Sequence, residues 1–372
     1  MANPSSSGLE GIVVAHTLIS DVDGERGRLV IAGRDVEDLA GSESFESAAA
    51  RVLAAGAGTS FGPSTPSPAP LALGPARAAA WQLVPRLGNA LAQPDGMDAL
   101  RASLAHLVAV GHANETGKIN EADDRSDALA ALGAAPVFVA AWNRTRLGFA
   151  PIAPDPSLGH AADYLRMSTG STPTAEQARA LDAYLTTVSD HATNASTFTA
   201  RVIASTASDM ISALVGGVGA LKGPLHGGAP GPVLDMLDAI SEPANAETWL
   251  LDALAAGHRI MGMGHRIYRV RDPRAAVLET AVRPLASPRL LLARAVETAA
   301  TKILREKKPD RPLAANVEFY TAVLLDAVGL PREQFAATFA TARIAGWAAH
   351  VIEQRRVGKL IRPASEYVGE TT

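Results

Sequence analysis

Apolar positions recur at helical spacing through most of the chain, and strand-like runs are confined to its start. Two β-branched stretches, Gly11 to Ile19 and Arg28 to Ile31, lie on either side of Asp21-Val-Asp-Gly24, which reads as a turn. Together they predict one small β-hairpin. A helix is predicted from Asp35 to Leu53, followed by an irregular loop from Gly56 to Pro75, where Gly, Pro and Ser concentrate. From Leu100 onward the pattern is helical with little interruption, broken at Pro151-Ile-Ala-Pro-Asp-Pro156. Val202, Ile203, Met210, Ile211, Leu214 and Val218 share a helical spacing and predict one long helix from Asn194 to Val218. Short helices alternate with loops from Gly231 to about Leu325, around a basic patch of Lys302, Arg305, Lys307 and Lys308. A final long helix is predicted from Pro331 to Arg356. The fold class is mostly α with a small N-terminal hairpin.

Composition narrows the function. The chain has 372 residues, enough for one large domain or two. It is 47% hydrophobic and 19% charged, which excludes a disordered chain. A net charge of −4 argues against general nucleic-acid binding. Cysteine is absent, so disulfides and thiolate chemistry are excluded. The first residues lack the basic start and apolar core of a signal peptide, and no apolar run would span a bilayer. A cytoplasmic protein with no membrane partner is expected.

The candidate chemistry centres on Leu221-Lys-Gly-Pro-Leu-His-Gly-Gly-Ala-Pro230. Its glycines allow close backbone approach, and the apolar run after Pro232 predicts a helix. His226 is thereby expected at or just before a helix N-terminus, whose positive end favours the neutral imidazole as a hydrogen-bond donor. The alternative is a turn that happens to carry a histidine. A second motif, Met261-Gly-Met-Gly-His-Arg-Ile-Tyr268, sets His265 between exposed backbone and Asp272-Pro-Arg274, and Arg274 is placed to clamp an anion. Two such histidines favour function over accident. In Asp190-His191-Ala-Thr-Asn-Ala-Ser196, Asn194 or Ser196 can cap a helix, while His191 could face an anion. Glu318 lies between Val317 and Phe319; burial would make it a better base near neutral pH, whereas local sequence favours a place on a helix's polar face. Arg343 shares a helical face with Phe335, Phe339, Gly346 and Trp347, which calls for an anionic ligand or an internal salt bridge. Arg362 reads locally as an exposed tail cation.

Taken together, these motifs resemble the citrate synthase family. The likeness runs from Gly8-Leu-Glu-Gly-Ile-Val-Val-Ala15 to Ile361-Arg-Pro363, through Asp155-Pro-Ser-Leu-Gly-His-Ala161 and Asn194-Ala-Ser-Thr-Phe-Thr-Ala-Arg201. It implies a two-domain helical homodimer, the small domain covering 228–329 and the large domain 1–227 with 330–372. It also implies condensation of acetyl-CoA with oxaloacetate and hydrolysis of citryl-CoA. The CoA thioester would be a co-substrate, with no tightly bound cofactor and no metal. By motif position His226 would hydrogen-bond the thioester oxygen, and His265 would polarise the oxaloacetate carbonyl and protonate the alkoxide. His191, Arg274 and Arg343 would hold the carboxylates, with Arg362 arriving from the partner subunit. The backbone of Met261, Gly262, Met263 and Gly264 would contact the CoA adenine, and Arg269 is expected to assist its phosphates.

Two departures stand out. The family's base is usually Asp in Asn-Val-Asp-Phe, and Glu318 occupies that position here; activity is expected to survive at a reduced rate or with altered acyl preference. The region from Ala50 to Arg86 carries a Pro/Ser-rich loop in place of the usual Trp-Gly and Leu-Pro pattern. A 2-methylcitrate synthase using propionyl-CoA, and a non-catalytic paralogue binding CoA or a dicarboxylate, are the alternatives.

Overall fold

The computed structural model describes residues 9, 11–62, 65–111, 120–226, 230–309 and 313–370. An antiparallel sheet opens the chain in the order β1 (Ser20–Asp23), β2 (Arg28–Ile31), β3 (Arg34–Asp35), with Ser20 opposite Ile31 and Val30 opposite Asp35. The expected hairpin is present, but its first strand is the stretch read as its turn. The turn itself is Gly24 to Gly27, closed by the Asp23 carboxylate, which accepts from the amides of Glu25 and Arg26. Gly27 there has φ +64°. Residues 11–17 form no strand, and Ile12, Val13 and Val14 are exposed. A third strand arises because Ala32 and Gly33 both take positive φ (44° and 81°), the geometry of a two-residue hairpin turn.

Fifteen α-helices follow among the described residues. The predicted helix over 35–53 divides into α1 (Val36–Ser42) and α2 (Phe45–Gly56), because the Ser44 hydroxyl accepts from the Ser47 amide and starts a new helix. Of the loop expected from Gly56 to Pro75, 57–62 and 65–72 are irregular; Gly56 ends α2, α3 (Leu73–Trp81) already contains Pro75 in its first turn, and 63–64 lie outside the described residues. Then come α4 (Gly96–Leu104), α5 (Glu121–Arg146), α6 (His160–Thr169) and α7 (Ala175–Thr187), the last begun by a reciprocal Thr174–Gln177 capping box. The long helix expected from Asn194 to Val218 is two helices, α8 (Ala195–Ser205) and α9 (Met210–Leu221). Ala207 at φ +63° breaks it, and the Asp209 carboxylate caps the new start by accepting from the Ser212 amide at 2.8 Å. Apolar spacing alone could not reveal that interruption, because α8 and α9 pack against each other and both remain amphipathic.

Five further helices, α10 (Gly231–Ile240), α11 (Ala246–Ala255), α12 (Pro273–Val282), α13 (Pro288–Lys307) and α14 (Val317–Ala327), pack on one another, α11 on α13 and α12 on α14. They meet the rest of the chain where α12 touches α1 and α7, and where α14 touches α7. The last helix, α15 (Phe335–Val357), is buried on every side, with Trp347 wholly enclosed among α2, α4, α5, α7, α8 and α9. Glycines permit that enclosure: a Cβ at Gly346 would collide with Asp190, and one at Gly217 would sit 2.9 Å from the Trp347 ring. Arg343 is therefore carried into the interior rather than along an amphipathic face. No helix among the described residues is long and apolar enough to cross a membrane.

Candidate active site

The starts of three helices and the middle of a fourth converge at one place. Asn194 caps α8, accepting from Thr197, and the adjacent Ser196 amide points at His226. That amide donates to His226 Nε2 at 3.2 Å, and Ser196 Oγ lies 2.8 Å from the same nitrogen. An amide can only donate, so Nε2 is an acceptor and the imidazole proton sits on Nδ1. Trp347 Nε1 donates to Ser196 Oγ at 3.1 Å and fixes the arrangement from α15. The His226 pKa is lowered to about 4 by burial and then by the Arg343 charge. The sequence expectation of a neutral donor thus stands, but its cause differs. The helix end that meets the ring belongs to α8, whereas α10 begins only at Gly231. Gly227 and Gly228 lie outside the described residues.

His265 is held in the opposite tautomer. The amides of Ile267 and Tyr268 both donate to its Nδ1, at 3.0 and 3.1 Å, leaving the proton on Nε2. Its pKa too is lowered to about 4, by burial and the nearby Arg274. The loop that presents it depends on two glycines in the left-handed region, Gly262 (φ 73°) and Gly264 (φ 89°). The positive φ disfavours any side chain at Gly264, and a Cβ there would also have to displace the Leu313 side chain, 2.6 Å away. Much of this loop's backbone is already engaged. Gly264 N donates to Ala314 O, Asn316 N donates to Gly262 O, and Asn316 Nδ2 donates to Gly264 O. Met261 and Met263 retain free carbonyls among the described residues. The hairpin supports the far end of the loop, with Arg269 N donating to Gly24 O at 2.9 Å.

His191 and Tyr268 complete an aromatic cluster: the His191 and His265 rings are 5.7 Å apart, and His265 and Tyr268 4.8 Å apart. The Tyr268 hydroxyl lies 3.2 Å from His191 Nε2. Burial and the charges of Arg274 and Arg343 hold the His191 pKa well below its usual value. The residue after it, Ala192, is at φ +49°, with its amide donating to Ser20 Oγ and to Asp190 Oδ2. Asp190 also accepts from the Ser20 hydroxyl and faces His350 on α15. Strand β1 thereby helps to aim His191.

Arg274, in the first turn of α12, is held in a bidentate pair with Asp272, at 3.0 and 2.8 Å. Asp272 caps α12 and also accepts from Val317 N, so one carboxylate ties Arg274 to the start of α14. Arg343 has no carboxylate partner among the described residues. Its Nε donates to Val188 O at 2.8 Å and its guanidinium lies 4.8 Å from the Phe339 ring centre. Burial lowers its pKa to about 10. An arginine so enclosed, with its terminal nitrogens unengaged, is a site for an anion.

Glu318, in the first turn of α14, is the remaining charge. Asn316 caps this helix by accepting from the Glu318 amide. Glu318 Oε2 is buried without a hydrogen-bond partner among the described residues. Desolvation raises its pKa to about 8, opposed by Arg274 and Arg343 and reinforced by Asp272. Burial therefore overrides the polar-face reading.

Not every candidate gathers here. Arg362 is exposed in the tail after α15, away from this chain's cluster. Arg269 stands outside it, beside Glu25 and on a cavity of about 800 Å³ that also exposes Arg305, Lys308, Leu313 and Ala314. That cavity adjoins the site through Leu313 and Ala314, which flank the Gly264 loop. Lys302, from the same basic patch, pairs with Glu247 instead. Ser196, Tyr268 and Asp272 were missed as site residues in the sequence: Ser196 and Tyr268 act through partners distant in the chain, and Asp272 holds Arg274 within a motif read only as a Pro turn. Among the described residues no group of three or more His, Asp or Glu could hold a metal ion.

The arrangement offers two neutral imidazole donors of opposite tautomer, a buried carboxyl near Arg274 and Arg343, and those two enclosed guanidiniums. Such a set can bind a dicarboxylate, polarise a carbonyl and remove a proton α to another. The family model for "Citrate synthase, C-terminal domain" matches residues 8–364. The citrate synthase of Haloferax volcanii is 36% identical over 382 residues, covering 100% of this chain and 97% of that protein. The 2-methylcitrate synthase of Mycobacterium tuberculosis is also 36% identical, over 375 residues, 97% of this chain and 90% of that one. The crystal structure of citrate synthase from Pyrobaculum aerophilum superposes with a TM-score of 0.85 at 31% identity, over 98% of this chain and 93% of that one.

Proposed function

The chain belongs to the citrate synthase family and is an acyltransferase of that type; within that reaction we propose that it condenses acetyl-CoA with oxaloacetate and hydrolyses the citryl-CoA formed. The residue assignment rests on the opposite tautomers of His226 and His265, each leaving one ring N–H to donate, together with the buried, unpartnered Glu318 oxygen near Arg274 and Arg343. Arg343 and Arg274, with His191, hold the two oxaloacetate carboxylates. His265 Nε2–H donates to the ketone oxygen, where alkoxide charge develops as the new carbon–carbon bond forms. His226 Nδ1–H donates to the thioester oxygen, and Glu318 takes the α-proton. A thioester α-proton is weakly acidic, so the carboxylate succeeds only while that oxygen is stabilised. Water then cleaves the acyl–sulfur bond and releases CoA as the thiol. The His226 donor serves the enolate oxygen without a metal.

The CoA phosphates are assigned to the cavity lined by Arg269, Arg305 and Lys308; Arg269 has only a long, exposed contact of 3.9 Å to Glu25. The adenine would read the Met261 and Met263 backbone. The mutual packing of α10 to α14 supports a small domain over 228–329 that closes on the remainder, because His265, Arg274 and Glu318 lie on one side of the site and His191 and Arg343 on the other. The exposure of Arg362 supports a homodimer in which it serves the partner's site. A cytoplasmic location accords with the metabolite substrates.

The pH dependence of CoA release tests this reading. A base must be ionised, and desolvation has raised the Glu318 pKa to about 8. Activity should therefore be low at pH 6, rise through a limb near pH 8 and level off above it, both histidines being neutral throughout. A rate that is flat from pH 6 to 9, or that falls across this range, removes Glu318 as the base.

A further inference from the structure

Near Glu318, two buried hydroxyls make no well-formed hydrogen bond among the described residues: that of Tyr184 on α7 and that of Thr321 on α14, which face each other, with the Glu318 charge acting on Tyr184. Tyr184 is 0% exposed and Thr321 1%. Thr321 follows Glu318 by three residues, so the two share one side of α14, and Thr321 faces Tyr184 where α14 meets α7. A buried hydroxyl left unsatisfied costs free energy, and native interiors hold few of them. Two beside an unsatisfied carboxyl oxygen mark a station whose bonds form in another state of the site.

We propose that Tyr184, with Thr321 beside it, is the positioning residue for the base: its O–H receives Glu318 Oε2, directly or through one buried water, when the carboxyl ionises. That contact turns Oε1 toward the acyl carbon. It also explains how glutamate serves where the family usually has aspartate, since the shorter side chain would stop before the station. The proposal rests on Glu318 acting as the base. Burial and the Glu318 charge keep the Tyr184 hydroxyl protonated, so it is available as a donor. The other charges facing Glu318 are Asp272 and Arg274 at the start of α12 and Arg343 on α15. On α10, Asp235 and Asp238 are taken by Arg332 and Arg289, and Glu297 on α13 is taken by Arg271 and Tyr320.

The test is the pH profile of CoA release for wild type, Tyr184→Phe and Thr321→Val, with folding checked by circular dichroism. Removing the donor should move the limb upward by about one pH unit, an approximately tenfold loss at a fixed pH below it, and Thr321→Val should move it the same way by less. In a Glu318→Asp background Tyr184→Phe should shift the limb by under a third as much. A Tyr184→Phe limb at the wild-type position, or an equal shift in both backgrounds, overturns the proposal while leaving the base in place. A wild type with no limb overturns the base and the station together.

Discussion

Glu318→Gln is expected to lower the rate of CoA release by about 10²–10⁴-fold, the usual contribution of a positioned general base. Glutamine keeps the shape and loses only the basicity. The carboxyl it replaces has no hydrogen-bond partner among the described residues, so no structural bond breaks. Oxaloacetate affinity should change little, because the proposed carboxylate ligands are Arg274, Arg343 and His191, with Asp272 holding Arg274 in place. Calorimetric binding of oxaloacetate beside the rate separates these effects. A variant that turns over at the wild-type rate would show that another group removes the proton. Glu318→Asp should fall between the two, since a misplacement of about 1 Å can cost roughly 10²-fold even when the chemistry is kept.

His226→Ala is expected to cost about 10²–10³-fold, and the loss should fall on kcat. The ring binds no oxaloacetate carboxylate in this arrangement, so the KM for oxaloacetate should hold. Its Nδ1 proton is aimed by the Ser196 amide behind it, a bond that asks nothing of the substrate. The donor is therefore in position before charge develops, which makes it worth more to the enolate than to the ground-state thioester. Steady-state kinetics with a circular dichroism check decide the matter; a raised KM with unchanged kcat would recast His226 as a binding group only.

How much of this was legible beforehand varies with the range of the interaction that decides it. Helical class, the loop over 56–75 and the last helix follow from local spacing. The break between α8 and α9 does not, because Ala207 at φ +63° stops one helix and Asp209 starts another without disturbing the apolar period. The hairpin was legible as an element but not in its register, since the charged Asp21 and Asp23 read as turn while Ser20 and Val22 face inward. Both histidines were visible through their glycines. Their tautomers were not, because these depend on amides brought up by the Ser196 helix start and by the Ile267–Tyr268 turn. For Glu318, local sequence favoured a polar face, and only the family resemblance indicated a base; α14 is packed by α7 and α12, with the Arg343 charge brought up from α15. Arg274 was legible as an anion clamp, whereas its bidentate anchor Asp272 was read only as part of the motif.

The most direct measurement is the release of CoA thiol by the purified protein with oxaloacetate and either acetyl-CoA or propionyl-CoA, with the product identified by mass. The account expects turnover at pH 8 that requires both substrates, acetyl-CoA being the better and citrate the product. Faster turnover of propionyl-CoA to 2-methylcitrate would keep the mechanism and change the acyl specificity. Oxaloacetate binding without release of thiol from either thioester would contradict the account, leaving a dicarboxylate-binding protein in which Glu318 does not reach the proton.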